Sequence, residues 1–168
     1  MVLKDVLQQF LDDEQWQDEI AHDDRDDTDF ISTGFQIDGQ RYRLILITAE
    51  LPKTIRVLLI SPLKVPKARA REAAIVLNAL NVRLAYGNLE MDDEGAVYFR
   101  WGMDLEGATA VPMQFGHLIN AANSAFDEIR AAVIAAAAFS KQSAEDIINN
   151  YKNALERPNE EIREARVH

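Results

Sequence analysis

The stretch from Arg71 to Ala138 changes its hydrophobic period twice, and few folds accommodate that pattern. Ala73, Val76, Leu77 and Leu80 recur at helical spacing and stop at Asn81, a residue that suits a helix end. Leu89 and Met91 then alternate. After the turn Asp92-Asp93-Glu94-Gly95, Val97, Phe99, Trp101, Met103 and Leu105 alternate as well. Period two on both sides of a Gly-containing turn predicts an antiparallel hairpin with one buried face. Tyr98, Arg100 and Asp104 fall on its wetter face. A helical stripe resumes with Phe115, Leu118, Ile119, Ala122, Phe126, Ile129, Val133 and Ala136, predicting one long helix that starts near Pro112.

The residues upstream supply the other half of the sheet. Val2, Leu3, Val6, Leu7, Phe10 and Leu11 predict a short opening helix. The acidic stretch 12–29 reads as a solvated connection holding one irregular strand, with Trp16 and Ile20 as apolar anchors. Ile31, Thr33, Phe35 and Ile37 alternate up to Asp38-Gly39, a strong hairpin turn. The returning strand, Arg41 to Ala49, is apolar on both faces from Leu44 to Ile47. After Pro52-Lys53, Ile55, Val57 and Leu59 share one face, while Leu58 and Ile60 occupy the other. Two apolar faces predict a central strand or a sheet covered on both sides, the second cover being a partner subunit. Pro62 and Pro66 are expected to end that strand and open the helix. Ser143 and Asp146 form a capping-box pattern before Ile147, Ile148, Tyr151, Ala154 and Leu155, and Pro158 is expected to stop this last helix. The small stripe Ala121, Ala125, Ala132 and Ala135 could receive that helix, from its own chain or from a partner.

The predicted order is therefore α-β-β-β-α-β-β-α plus a C-terminal helix. With few connections long enough for parallel crossovers, this is an α+β domain with a mainly antiparallel sheet. Residues 1–139 are expected to form the domain, and residues 140–168 a helical extension with a charged tail.

Several function classes are disfavoured at this level. A chain of 168 residues suits one domain, and the absence of Cys removes disulfides, thiolate nucleophiles and Cys-based zinc sites. A net charge of −10 repels phosphate backbones. The basic cluster Lys64, Lys67, Arg69 and Arg71, with Lys53 and Arg56 upstream, reads as a charged linker and first helical turn, without interleaved aromatics for stacking bases. No nucleic-acid partner is expected. No apolar run reaches the roughly 20 residues of a membrane helix, and the start, Met1 to Asp5, lacks a signal-peptide pattern, so the expectation is a cytoplasmic protein with no membrane partner.

Candidate chemistry is sparse. Asp23, Asp24, Asp26, Asp27 and Asp29 miss the calcium-loop template and read as a solvated acidic loop; Asp92, Asp93 and Glu94 are explained by their turn. His22, His117 and His168 are scattered, and no nucleophile elbow, phosphate loop or His-Glu-x-x-His occurs. Catalytic, cofactor and metal residues are thus expected to be none. Asn120, Asn123, Ser124 and Asp127 form a polar stripe on the long helix. Tyr98, Arg100 and Trp101 are the candidate partner-binding residues, because Arg and aromatics are enriched at interface hot spots. For Arg100 a cross-strand salt bridge with Glu90 is the reading preferred.

The helix–hairpin–helix block resembles the YbjN family of bacterial proteins. The resemblance is carried by Leu77-Asn78-x-x-Asn81, Gly87-x-Leu89-x-Met91-Asp92-x-x-Gly95-x-Val97-x-Phe99-Arg100 and the helix that follows, and spans roughly Val2 to Ala138. It implies the fold of type III secretion chaperones, which are small, acidic and homodimeric, a role in sensory transduction regulation, and no catalytic residues. The function expected is a noncatalytic, chaperone-like or regulatory homodimer that binds another, unidentified polypeptide. The alternative is an enzyme or small-ligand-binding protein whose site gathers scattered carboxylates and Arg100.

Overall fold

A computed structural model describes residues 2–165, with side chains to residue 155. In chain order the elements are α1 (Leu3–Asp13), β1 (Ala21–Asp23), β2 (Thr28–Ile37), β3 (Gln40–Glu50), β4 (Lys53–Lys64), a 3-10 turn (Lys67–Arg69), α2 (Ala70–Asn81), β5 (Asn88–Met91), β6 (Ala96–Asp104), α3 (Met113–Ala125), α4 (Glu128–Phe139) and α5 (Ala144–Ala165). The strands form one sheet in the order β1-β2-β3-β4-β6-β5, with every neighbouring pair antiparallel. The architecture is the predicted α+β one.

The turns follow their residues. Asp38 and Gly39 both adopt positive φ, 47° and 77°, which matches the twist of a two-residue hairpin and aligns Ile37 with Gln40. Asn81 ends α2 and then behaves as a strand neighbour. Its amide donates to the Leu89 carbonyl at 2.9 Å, and its carbonyl accepts from the Leu89 N–H at 2.7 Å. Both main-chain groups of Leu89 on the edge strand are thereby satisfied by one side chain.

The core lies between one sheet face and the helices. Leu44, Leu46, Val57, Leu59, Val97 and Phe99 share that face and are buried. Above them, Phe10 of α1 meets Phe115 of α3 at 5.5 Å between ring centroids, and Tyr42 of β3 meets Phe126 at 5.0 Å. Arg69 donates to the carbonyls of Ala137 at 3.0 Å and Gln142 at 2.9 Å, capping the end of α4. α5 packs on α2 and α4 of its own chain.

Four local expectations are corrected. The long helix is two: Phe126 leaves the helical region, and Asp127 restarts it by accepting from the Arg130 N–H at 2.8 Å. Apolar periodicity continues across the break because both segments face the same core, so the pattern could not reveal it. Pro62 does not end β4. The strand reaches Lys64 through a register shift between Ile60 and Lys64, an irregularity that tolerates a residue lacking an N–H. α5 likewise continues past Pro158 to Ala165, since proline removes its own ladder bond while the charged residues after it favour helix. The small stripe is divided between two helices, and α5 packs on α4, which carries Ala132 and Ala135. The tail after residue 165 lies outside the described residues.

Candidate functional site

The sheet has a second face, and its apolar residues do not belong to the core. Strand register sets them in rows. Phe30 pairs with Ile47, which pairs with Arg56, which pairs with Gly102. In the next row Ser32, Ile45, Leu58 and Arg100 stand side by side, followed by Gly34, Arg43, Ile60, Tyr98 and Glu90. Phe30, Ile45, Ile47, Leu58 and Ile60 are half-buried and do not pack against the core cluster, although the intervening residues of the same strands are buried. The sheet is therefore roofed by helices on one side and open on the other.

Arginines surround this apolar centre. Arg56 lies over Gly102, where an added Cβ would stand 2.9 Å from its Cγ, and Arg41 lies over Gly34 with Nε 2.6 Å from the equivalent point. The missing side chains let the arginine stems lie flat on the sheet. Arg43 donates from Nε to the Ser32 hydroxyl at 2.9 Å. Among the described residues Arg41, Arg43 and Arg56 make no ion pair, on a chain whose net charge is −10.

Tyr98 and Arg100 sit at the border of that face and converge on Glu90. Arg100 donates from Nε to Glu90 Oε1 at 3.1 Å and from its terminal nitrogen to Oε2, while the Tyr98 hydroxyl donates to Oε2 at 3.0 Å. The salt bridge to Glu90 is thus present. Hydrogen bonding by Arg100, aided by Tyr98, holds the Glu90 carboxyl below its ordinary range, while burial and Glu90 push the Tyr98 phenol up. A lowered carboxylate pKa stabilises the fold above the unfolded value and is lost as pH falls through the folded one. Glu90→Gln should therefore cost under about 1 kcal/mol at pH 7, because the pair is largely exposed. It should flatten the loss of stability below about pH 4.5, the usual range of a free Glu. Urea midpoints for both proteins at pH 7 and pH 3 check this, and a wild-type-minus-variant gap unchanged by acid would refute it.

Trp101 faces the other way. It is half-buried against the core and stacks on Tyr86, with centroids 4.7 Å apart and ring planes at 24°. Together they line a groove of about 700 Å³ between the 83–86 loop, β6 and α3. The three candidate residues thus divide between two faces. Asn120 and Ser124 of the polar helix stripe reach the groove; Asp127 instead pairs with Arg130. Tyr86 and Arg83 carry no periodic signal because they lie in a loop, and Arg130 carries none because it is a polar residue in the first turn of α4. An aromatic immediately before Gly87 was the one local signal.

Among the described residues, Glu90 is the carboxylate that meets Arg100, and the pair lies on the open sheet face, outside the groove. Among the described residues no Asp or Glu lines the groove, and Arg100 is on the opposite sheet face. His22 lies 3.2 to 3.8 Å from Asp24, Asp27 and Asp29 on an exposed hairpin; among the described residues no group has the arrangement to hold a metal ion. Lys64 of the basic cluster pairs with Glu94 at 3.1 Å. Among the described residues no helix is long and apolar enough to cross a membrane.

Comparison with known proteins adds three findings. The model of the YbjN family, described as "Putative bacterial sensory transduction regulator", matches residues 3–135. A chain of the HopA1–SchA chaperone–effector complex superposes with a TM-score of 0.50 at 17% identity, covering 77% of this chain and 93% of that one. The two chains thus share a fold. The crystal structure of YbjN from E. coli superposes with a TM-score of 0.48 at 15% identity, covering 79% and 89%. No curated protein matches the chain.

Proposed function

This chain belongs to the YbjN family, and from that premise we propose that it is a noncatalytic, chaperone-like protein that binds another polypeptide and acts as a homodimer in the cytoplasm. One observation carries the reading: the chain leaves the centre of its own sheet unroofed, with Phe30, Ile45, Ile47, Leu58 and Ile60 set among arginines. A contiguous apolar surface rimmed by polar groups is a protein-binding surface far more often than an idle one. Its charge selects the partner. Two copies of this face brought together would oppose Arg41, Arg43 and Arg56 to themselves, whereas an acidic segment with interleaved aliphatic residues would meet complementary charge. The complex whose chain this fold resembles is one between a chaperone and an effector, which supports a polypeptide as the ligand.

The homodimer then uses the helical side. The contacting helices α2 and α4 leave Ile75, Ile129 and Phe139 exposed, apolar area that a second copy would cover. Sedimentation velocity at micromolar concentration should give twice the 19.0 kDa chain mass, reduced to one chain by Phe139→Glu. A wild-type species of single-chain mass would refute the dimer.

Selection from a random-peptide display library tests the open face. Wild-type protein should enrich peptides in which Asp or Glu alternates with Leu, Ile or Phe, and Leu58→Glu should abolish their binding while leaving the circular dichroism spectrum unchanged. No enrichment, or enrichment indifferent to Leu58→Glu, would sink the proposal.

A further inference from the structure

The groove beneath Tyr86 is chemically unlike the rest of the surface. Trp101, Met103 and Ala121 line it, and Tyr86 stacks on the Trp101 ring while remaining 59% exposed on its outer side. The rim carries Arg83 and His117, both exposed. The chain contains 28 acidic residues, yet among the described residues none lines this groove. Arg83 has no ion pair among the described residues. A volume of about 700 Å³ with an apolar floor and a few convergent polar groups is that of a small-molecule site.

These features specify the occupant. The open side of Tyr86 and the part of Trp101 that lines the groove favour a planar ring system, which gains offset or edge contacts beyond simple burial. A rim where, among the described residues, Arg83 makes no ion pair and no carboxylate lines the groove favours an anionic substituent, since an arginine fork matches a carboxylate with two parallel hydrogen bonds. An aliphatic ligand would leave the stacking unused, and a cation would meet Arg83. We propose that this groove binds a small planar aromatic carboxylate, its ring against Tyr86 and Trp101 and its carboxylate at Arg83. The site is separate from the open sheet face, and its test does not depend on that face binding a polypeptide.

The protein supplies its own reporter. Trp16 packs on Phe10 and does not line the groove, and Trp16→Phe leaves Trp101 as the single indole. In that background, 1-naphthoate should quench Trp101 emission saturably, and the neutral isostere 1-naphthamide should bind about tenfold more weakly, the equivalent of one charge-assisted hydrogen bond. Arg83→Gln, an exposed loop substitution, should weaken naphthoate by a similar factor and leave naphthamide unchanged. Leu58→Glu on the open face should alter neither. Non-saturable quenching, equal affinity for acid and amide, indifference to Arg83→Gln, or loss of binding in Leu58→Glu would each overturn the assignment.

Discussion

Replacing Gly95 with alanine is expected to lower the unfolding free energy by about 3 kcal/mol, combining roughly 1–2 kcal/mol for a left-handed backbone with the cost of overpacking. Gly95 sits at φ 86°, and a Cβ there would stand 2.1 Å from the Val65 carbonyl oxygen. That oxygen is main chain, so it has no rotamer into which to retreat. The two backbones are also joined, because the Val65 N–H donates to the Gly95 carbonyl at 2.8 Å. The hairpin turn and the end of β4 must therefore move together. Gly39→Ala is the matched control: its φ is 77°, yet nothing lies within 4 Å of the added methyl. It should cost about 1 kcal/mol, the conformational part alone. Urea denaturation of the two variants measures the difference, and equal losses would show that the approach of Val65 contributes nothing.

Asn81→Ala should be nearly as damaging, at about 2–3 kcal/mol, because it strips partners from two main-chain groups at once. Leu89 is 2% exposed, so water does not readily replace the lost amide. Asn81→Asp keeps the acceptor for the Leu89 N–H and loses the donor to its carbonyl, and should fall between wild type and alanine. Amide hydrogen exchange gives a direct reading: protection at Leu89 should drop in Asn81→Ala and persist in Asn81→Asp. Unchanged protection at Leu89 in the alanine variant would mean that β5 is held by α2 packing alone.

Both predictions concern residues that carried the family resemblance. Gly87 belongs with them: at φ 64°, an added Cβ would meet the Phe99 ring at 2.4 Å and the Arg100 carbonyl at 2.7 Å. Asn81, Gly87 and Gly95 therefore form a backbone lock that seats a hairpin on the end of a helix. They bind no ligand in that role, which accounts for a motif visible without any reaction attached to it.

Ser143 shows how local chemistry can be read directly. Its hydroxyl accepts from the Asp146 N–H at 3.1 Å and donates to the Asp146 carboxylate at 2.7 Å, so the short acid bonds the hydroxyl itself. The break at Asp127 was within reach of the same reasoning, since Asp is a favoured N-cap residue and here caps the main-chain N–H of Arg130. It was hidden because the apolar period ran unbroken through it. The candidates Tyr98, Arg100 and Trp101 show the opposite limit. Adjacent in sequence, they alternate across the pleat, and only Trp101 turns towards the helices.

What the chain determined by itself was each element's period, the turns at Asp38-Gly39 and Gly95, and the antiparallel order, because these depend on neighbours a few residues away. The tertiary structure decided which of the two greasy faces of β3 and β4 the helices would cover, and it brought Tyr86 of a loop onto Trp101 of a strand. Either face could have been buried on hydrophobicity alone. The choice fell to the parity that lines up Leu44, Leu59 and Phe99 beneath Phe115, a condition met only when every strand is in register.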